Sequence, residues 1–290
     1  MKKNSTSMNA DQLIVVTGAT GKQGGAVADQ LLKAGFKVRA ITRNPASAAA
    51  EKLKQKGAEL VTADMEDKNS LVKALAGAYG VFSVQNYWEK GVGYEGEVRQ
   101  GKNLIAAARE AGIRHFVQAS VADAEKAPGV KHFECKAVLE KALKESELGT
   151  TILGETFFME NFFDPNYGSM MFPMLGGYFG LETRFHMVSV KDIGAIATTI
   201  FQNPDLYIGQ KINIAGDCLT LPEMKDIYNR VMPKKAPGYS IPSWLSGLLN
   251  AEMSRQLKWN RSQGWHFGLD EVRKVNPQLT SFEQFLQNHQ

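Results

Sequence analysis

The stretch from Leu13 to Ala34, LIVVTGATGKQGGAVADQLLKA, decides how the rest of the chain is read. Leu13 to Val16 is a short unbroken apolar run, the pattern of a strand buried on both faces of a parallel sheet. A glycine loop follows, Gly18-Ala19-Thr20-Gly21-Lys22-Gln23-Gly24, and then a helical pattern with Val27, Leu31 and Leu32 on one face. Strand, tight turn and helix start together make an anion site, because unpaired backbone N–H groups and the helix dipole converge on one point. A pyrophosphate fits there. Gly18 allows the turn out of the strand, Gly21 lets the backbone approach a phosphate, and Gly24 lets the helix sit close to the sheet. The spacing is GxxGxxG, not the commoner GxGxxG. The flanking strand and helix, more than the glycines, favour dinucleotide binding over a purely structural turn.

About 20 residues past such a loop, an NAD site places an acidic residue on the ribose 2′-hydroxyl. No Asp or Glu lies between Asp29 and Glu51, and the second strand, Lys37 to Thr42, runs into Arg43. An arginine there can clasp a 2′-phosphate, which favours NADP(H) over NAD(H). Without the loop, Arg43 reads first as a solvated surface residue.

The composition suits a folded α/β protein. The 290 residues are 43% hydrophobic and 22% charged, with a net charge of +4. No basic block appears, so a nucleic-acid groove has little support. The two cysteines, Cys135 and Cys218, build neither a zinc site nor a disulfide framework and fit a reducing compartment. The histidines lack metal-ligand spacing, and no metal is expected. Residues 1–11 have no apolar core after their lysines and read as a loose tail rather than a signal peptide. No apolar run is long enough for a membrane span, and the expectation is a cytoplasmic protein, monomeric or homodimeric.

Strands at Glu59 to Ala63, Val81 to Val84, His115 to Ala119 and Thr151 to Gly154 alternate with helices. The helices are Lys68 to Leu75, about Tyr94 to Ala111, and His132 to Lys144, and Asn44-Pro45 is read as a further helix start. Such alternation implies a Rossmann-type doubly wound parallel sheet with ligand across the carboxyl ends of its strands. That rule selects Asp64, Met65, Gln85, Asn86, Ser120, Val121, Glu155, Thr156 and Phe157 as candidates for the site. The Rossmann domain is assigned residues 12–156, with returning segments near 185–215. Residues 157–184 and 216–290 form a smaller substrate or lid domain. Phe157 to Phe172 crowds aromatic and thioether side chains, most of them core and some a pocket wall.

Short-chain dehydrogenases carry a Tyr and, four residues later, a Lys on one helix face. Here the corresponding place reads His132-Phe-Glu-Cys-Lys136, so the phenol is absent. His132 is a possible proton donor, its unperturbed pKa being about 6.5. Lys136 is either a general acid or a clamp on the cofactor ribose, or both residues are ordinary helix surface. The clamp ranks first and catalysis by His132 last. Hydrolase elbows, HExxH and a Walker lysine motif are missing.

The segments VTGATGKQGGAVA, TRNP, GAELVTADMED, QNYWE, EVRQGKNLIAAAREAGIRHFV, HFECK, FFMENFF, VSVKDIGAIA, YIGQKINIAG and NPQLTSFEQFL resemble the NmrA-like family of atypical short-chain dehydrogenase relatives. The resemblance spans nearly the whole chain after the tail, and NYWE with RQGK points to the redox-sensor branch. It implies an NADP-binding Rossmann domain in which Gly18 to Gly24, Arg43, Gln85 to Tyr87 and Lys136 contact the dinucleotide, with Arg99 a further basic candidate. The family holds both reductases of quinones, dyes or aromatic substrates and non-enzymatic regulators that sense NADPH. Its members commonly lack the tyrosine. A sensor with a protein partner and a reductase of a small apolar substrate are therefore both expected, the sensor slightly preferred.

Overall fold

The computed structural model describes residues 12–289, so the segment read as a tail, 1–11, lies outside the described residues. Seven parallel strands form the main sheet: β1 (Leu13–Val16), β2 (Lys37–Thr42), β3 (Glu59–Thr62), β4 (Gly80–Ser83), β5 (His115–Val121), β6 (Thr150–Glu155) and β9 (Lys211–Ile214). Their spatial order is β3-β2-β1-β4-β5-β6-β9, so the winding reverses between β1 and β4. The period of two along each strand explains why both faces are covered. Ile14 and Val16 of β1, Val38 and Ala40 of β2, Phe82 of β4 and Val117 of β5 join one core. Val15, Ile41, Val81 and Phe116, their sequence neighbours, join the other. Each fully buried side chain of this size contributes about 1.5–3 kcal/mol.

The first face is covered by α1 (Lys22–Lys33) and α7 (Val190–Gln202), through Val27 and Leu31 against Ile193, Ile196 and Ile200. These helices meet closely: a Cβ on Gly194 would stand 2.6 Å from the Ala26 carbonyl oxygen. The second face is covered by α3 (Lys68–Leu75), α4 (Gly93–Glu110) and α5 (Lys131–Lys144), with Leu71, Leu104 and Leu139 buried between them. The helix after β2, α2 (Ala48–Gln55), begins later than Asn44-Pro45 suggests. Ser47 caps it by accepting from the Ala50 N–H, while the Asn44 side chain accepts from Ala46 N–H and closes a local turn instead.

A second, mixed sheet has the order β10-β8-β7, from β7 (Phe157–Phe158), β8 (Arg184–Val188) and β10 (Asp217–Thr220). Of the segments expected to return to the large structure, α7 and β9 do so. The strand near 185 does not; β8 runs parallel to β7 and antiparallel to β10. Around this sheet lie α6 (Met171–Tyr178) and the helices α9 (Leu221–Val231), α10 (Ser243–Leu249), α11 (Ala251–Ser262), α12 (Leu269–Val275) and α13 (Phe282–Gln287), while the short α8 (Pro204–Tyr207) precedes β9. Most of the aromatic and thioether side chains from Phe157 to Phe172 share one core with Trp259, Trp265, Phe282 and Phe285. Among the described residues no helix is long and apolar enough to cross a membrane, and no cluster of His, Cys, Asp or Glu is placed to hold a metal ion.

Candidate functional site

A cleft of about 840 Å³ opens at the carboxyl ends of β1, β4, β5 and β6, where the winding reverses. Its base is the glycine loop. Gly18 has φ +58°, and a Cβ there would come within 2.7 Å of a Val84 methyl group. A Cβ on Gly24 would stand 2.4 Å from the Gly18 carbonyl oxygen and 2.6 Å from that of Thr17. Thr17 ties the loop to the end of β4: its hydroxyl donates to the Val84 carbonyl at 3.0 Å and accepts from the Val84 N–H at 2.8 Å. The N-terminus of α1 has neither a side-chain cap nor an acidic residue in its first turn. The cradle therefore offers backbone donors and positive dipole to an anion.

Gly18, Thr20, Gly21, Lys22, Gln23, Gly24 and Arg43 line the cleft, whereas Ala19 is buried beneath the loop. Lys22 reaches across to Asp164 at 2.9 Å, and this bond holds the Asp164 carboxyl below its usual range. Arg43 is 63% exposed and pairs at 2.5 Å with Glu89, in the loop that follows β4. The same loop presents Gln85, Asn86 and Tyr87. Gln85 is fixed by a closed ring of buried hydrogen bonds: its amide donates to Ser83 at 2.8 Å, Ser83 donates to Gln118 at 2.8 Å, and Gln118 donates back to Gln85 at 3.1 Å.

Lys136 points into the cleft wall with its ammonium 2.5 Å from Glu97. Burial opposes the lysine's charge, but the carboxylate beside it outweighs that penalty and holds the Lys136 pKa above the ordinary lysine value. Glu155, at the end of β6, accepts a hydrogen bond from the Gln23 side chain, and burial pushes its carboxyl up to about 8. Thr156 lies beside it, its hydroxyl donating to the Ile214 carbonyl at 3.0 Å, and Phe157 closes the floor against Phe185.

His132 also lines the cleft, 8% exposed. Its backbone N–H and ring Nδ1 both meet Glu252 Oε1, at 2.9 and 2.7 Å, and its Nε2 lies 3.2 Å from Gln256 Oε1. Although burial works against ionisation, the bonds from His132 and Arg255 push the Glu252 carboxyl down to about 2. The rings of Tyr87 and Trp88 stand 5.7 and 5.1 Å from the imidazole.

Besides the buried Ala19, three sequence candidates are not brought to the cleft. Asp64 belongs to the turn before α3, accepting from the Glu66 N–H at 2.9 Å, and Met65 packs into the core beneath it. Arg99 forks onto Glu66 at 2.5 and 3.0 Å. Conversely, sequence reasoning missed Glu89, Glu97, Asp164, Glu252 and Gln256. Their signal is weak: each partner is between 39 and 142 positions away, and only packing brings the pairs together.

Fold and cleft together define a Rossmann-type protein with a glycine-loop cradle at the switch point of its sheet. The chain belongs to the NmrA-like family, whose model matches residues 10–266. A relative from Aspergillus hancockii, the NmrA-like family domain-containing oxidoreductase hkm9, is 31% identical over 257 residues, covering 80% of this chain and 76% of the relative. Another, FrzB from a Cladobotryum species, is 32% identical over 260 residues, 80% of this chain and 77% of the relative. Triphenylmethane reductase of Citrobacter sp., solved with NADP(H), shares the fold at TM-score 0.79 and 21% identity, over 96% of this chain and 100% of that one. NmrA, a negative transcriptional regulator solved with NADP, does so at TM-score 0.76 and 18% identity, over 96% and 95%.

Proposed function

We propose that the cleft holds NADP(H) and that the protein is an NADPH-dependent reductase of a planar apolar molecule, quinone-like or aromatic. The observation that carries this reading is the continuity of the cleft. It begins at the bare N-terminus of α1 and at Arg43, and continues past Lys136 to Tyr87, Trp88, His132, Phe157, Met171 and Met253. Apolar walls with a few polar groups are what a small-molecule site requires.

In this reading Gly18 to Gly24 hold the pyrophosphate, Arg43 the 2′-phosphate, Gln85 to Tyr87 the flank of the dinucleotide, and Lys136 the nicotinamide ribose. The bound nicotinamide supplies hydride. Lys136, kept protonated by Glu97, is suited to clamping and not to giving up a proton. His132, oriented through Nδ1 by Glu252, is the group able to hand a proton to a reduced substrate, with Gln256 moving aside from Nε2.

A second reading, an NADP(H) sensor, is favoured by the Arg43–Glu89 pair. An arriving phosphate competes with Glu89 for the guanidinium, and Glu89 sits beside Trp88, which is 51% exposed. Occupancy would thereby reach the surface, provided the two loop states differ in affinity for the cofactor. Stoichiometry decides between the readings. NADPH consumed over many turnovers with a quinone panel supports the reductase; tight binding without turnover supports the sensor.

A further inference from the structure

Glu155 is 5% exposed and lines the cleft, yet no cation among the described residues pairs with it. One carboxyl oxygen accepts from the Gln23 amide of α1, and the other has no protein partner among the described residues. Its sheet neighbours are apolar, Val121 on β5 and Ile214 on β9. From α5 the charge acting on it is Lys136, and that ammonium is already matched by Glu97 of α4 at 2.5 Å. The other ionic groups along the cleft are matched as well, Lys22 by Asp164 and Arg43 by Glu89, while Glu252, which meets His132, is paired with Arg255 at 3.0 Å.

Around Lys136 and Glu97 the charge therefore depends on the Glu155 proton, and His132, bonded to Glu252, is a second titratable group facing the cleft. With Glu155 protonated, Lys136 and Glu97 cancel; with it ionised, one negative charge remains in a weakly screened place. The two redox forms of a nicotinamide differ in the same quantity, since the oxidised ring is a cation and the reduced ring is neutral. With the glycine loop and Arg43 taking the pyrophosphate and the 2′-phosphate, the nicotinamide is left to the wall past the loop, where Lys136 stands and where Glu155, bonded to Gln23 at the loop's edge, faces the cleft.

We propose that Glu155 sets the preference of the cleft for oxidised over reduced dinucleotide, ionised Glu155 favouring the oxidised form and protonated Glu155 removing that advantage. This rests on the cleft being the NADP(H) site. Burial pushes the carboxyl up to about 8, which puts the changeover near neutral pH. By linkage, the oxidised form draws the proton off Glu155 as it binds, and the reduced form does not.

The test is calorimetric titration of the full chain with NADP⁺ and with NADPH, from about pH 6.5 to about pH 9.5, in buffers of different ionisation enthalpy. In the wild type, NADP⁺ binding should release more protons than NADPH binding near pH 7.5. The ratio of the two Kd values should shift towards NADP⁺ on the order of tenfold as pH rises. The 2′-phosphate titrates in both forms and cancels in the ratio. Glu155→Gln, which keeps a polar group of the same size beside Gln23, should make the ratio flat. Equal proton release by the two forms, or a ratio that still shifts in Glu155→Gln, overturns the proposal while leaving the cofactor site standing. Absence of binding by either form overturns both.

Discussion

Glu97 Oε1 lies 2.5 Å from Lys136 Nζ, one helical turn before Gly101 of α4 meets Leu139 of α5. A Cβ on Gly101 would stand 2.5 Å from the Leu139 methyl groups, so the absent side chain sets the helix separation that lets Glu97 reach the lysine. Glu97 is fully buried and Lys136 is 9% exposed. Removing one member strands the other charge. Glu97→Ala should lower stability by about 3–5 kcal/mol in urea titrations, and replacing both residues with Met should recover most of it. Lys136→Ala should also weaken dinucleotide binding as a whole. A loss near zero for Glu97→Ala would mean that the pair is not held in solution.

Arg43 is claimed by Glu89 before any phosphate arrives. Arg43→Ala should weaken NADPH by about 1.5–3 kcal/mol, the range for hydrogen bonds to a charged group, and leave NADH nearly unchanged. Glu89→Gln should act oppositely and tighten NADPH, because it removes a competitor and a like charge. Fluorescence titration of the four combinations measures both effects. Equal losses for the two coenzymes would return Arg43 to the solvated surface.

Gly24 has no room for a methyl group, with the Gly18 carbonyl 2.4 Å from the place a Cβ would occupy. Gly24→Ala should cost about 1–3 kcal/mol through overpacking and should displace the start of α1 from the loop. Dinucleotide affinity should fall more than stability. Gly35, with φ +88° and nothing within 4 Å of a built Cβ, is the control: Gly35→Ala should cost about 1–2 kcal/mol of backbone strain and leave affinity alone. A Gly24→Ala protein that binds normally would show that the loop tolerates a side chain.

Glu252 and Glu155 should give opposite pH dependence. The Glu252 carboxyl is depressed to about 2, so its contribution is complete above its unfolded pKa and is lost as pH falls through the folded value. Glu155 is raised to about 8, so the folded state binds the extra proton and stability declines as pH rises from about 4.5 towards 8. Thermal melts should show Glu252→Gln flattening the acid limb, and Glu155→Gln gaining on the wild type as pH rises from about 4.5 towards 8. A Glu155→Gln curve parallel to the wild type would place the carboxyl in a wetter setting than the cleft floor.

The Rossmann sheet is legible along the chain, because local chemistry dictates it. Unbroken apolar runs need both faces covered, and Gly18 and Gly24 are required by contacts within the loop and with the strand end beside it. The same locality makes Gly18 to Gly24, Lys136 and His132 recognisable as candidate site residues. It failed where neighbours are made by packing. The strand Arg184–Val188 looks the same whichever sheet it joins, and only its pairing with β7 and β10 assigns it. Nor does spacing along the chain reveal that Glu97 neutralises Lys136, that Glu252 orients His132, or that Glu155 is left without a cation. Those facts depend on which helices meet and how closely, and the charge state of the cleft is set by that geometry, since desolvation and Coulomb energy act through space and not along the chain.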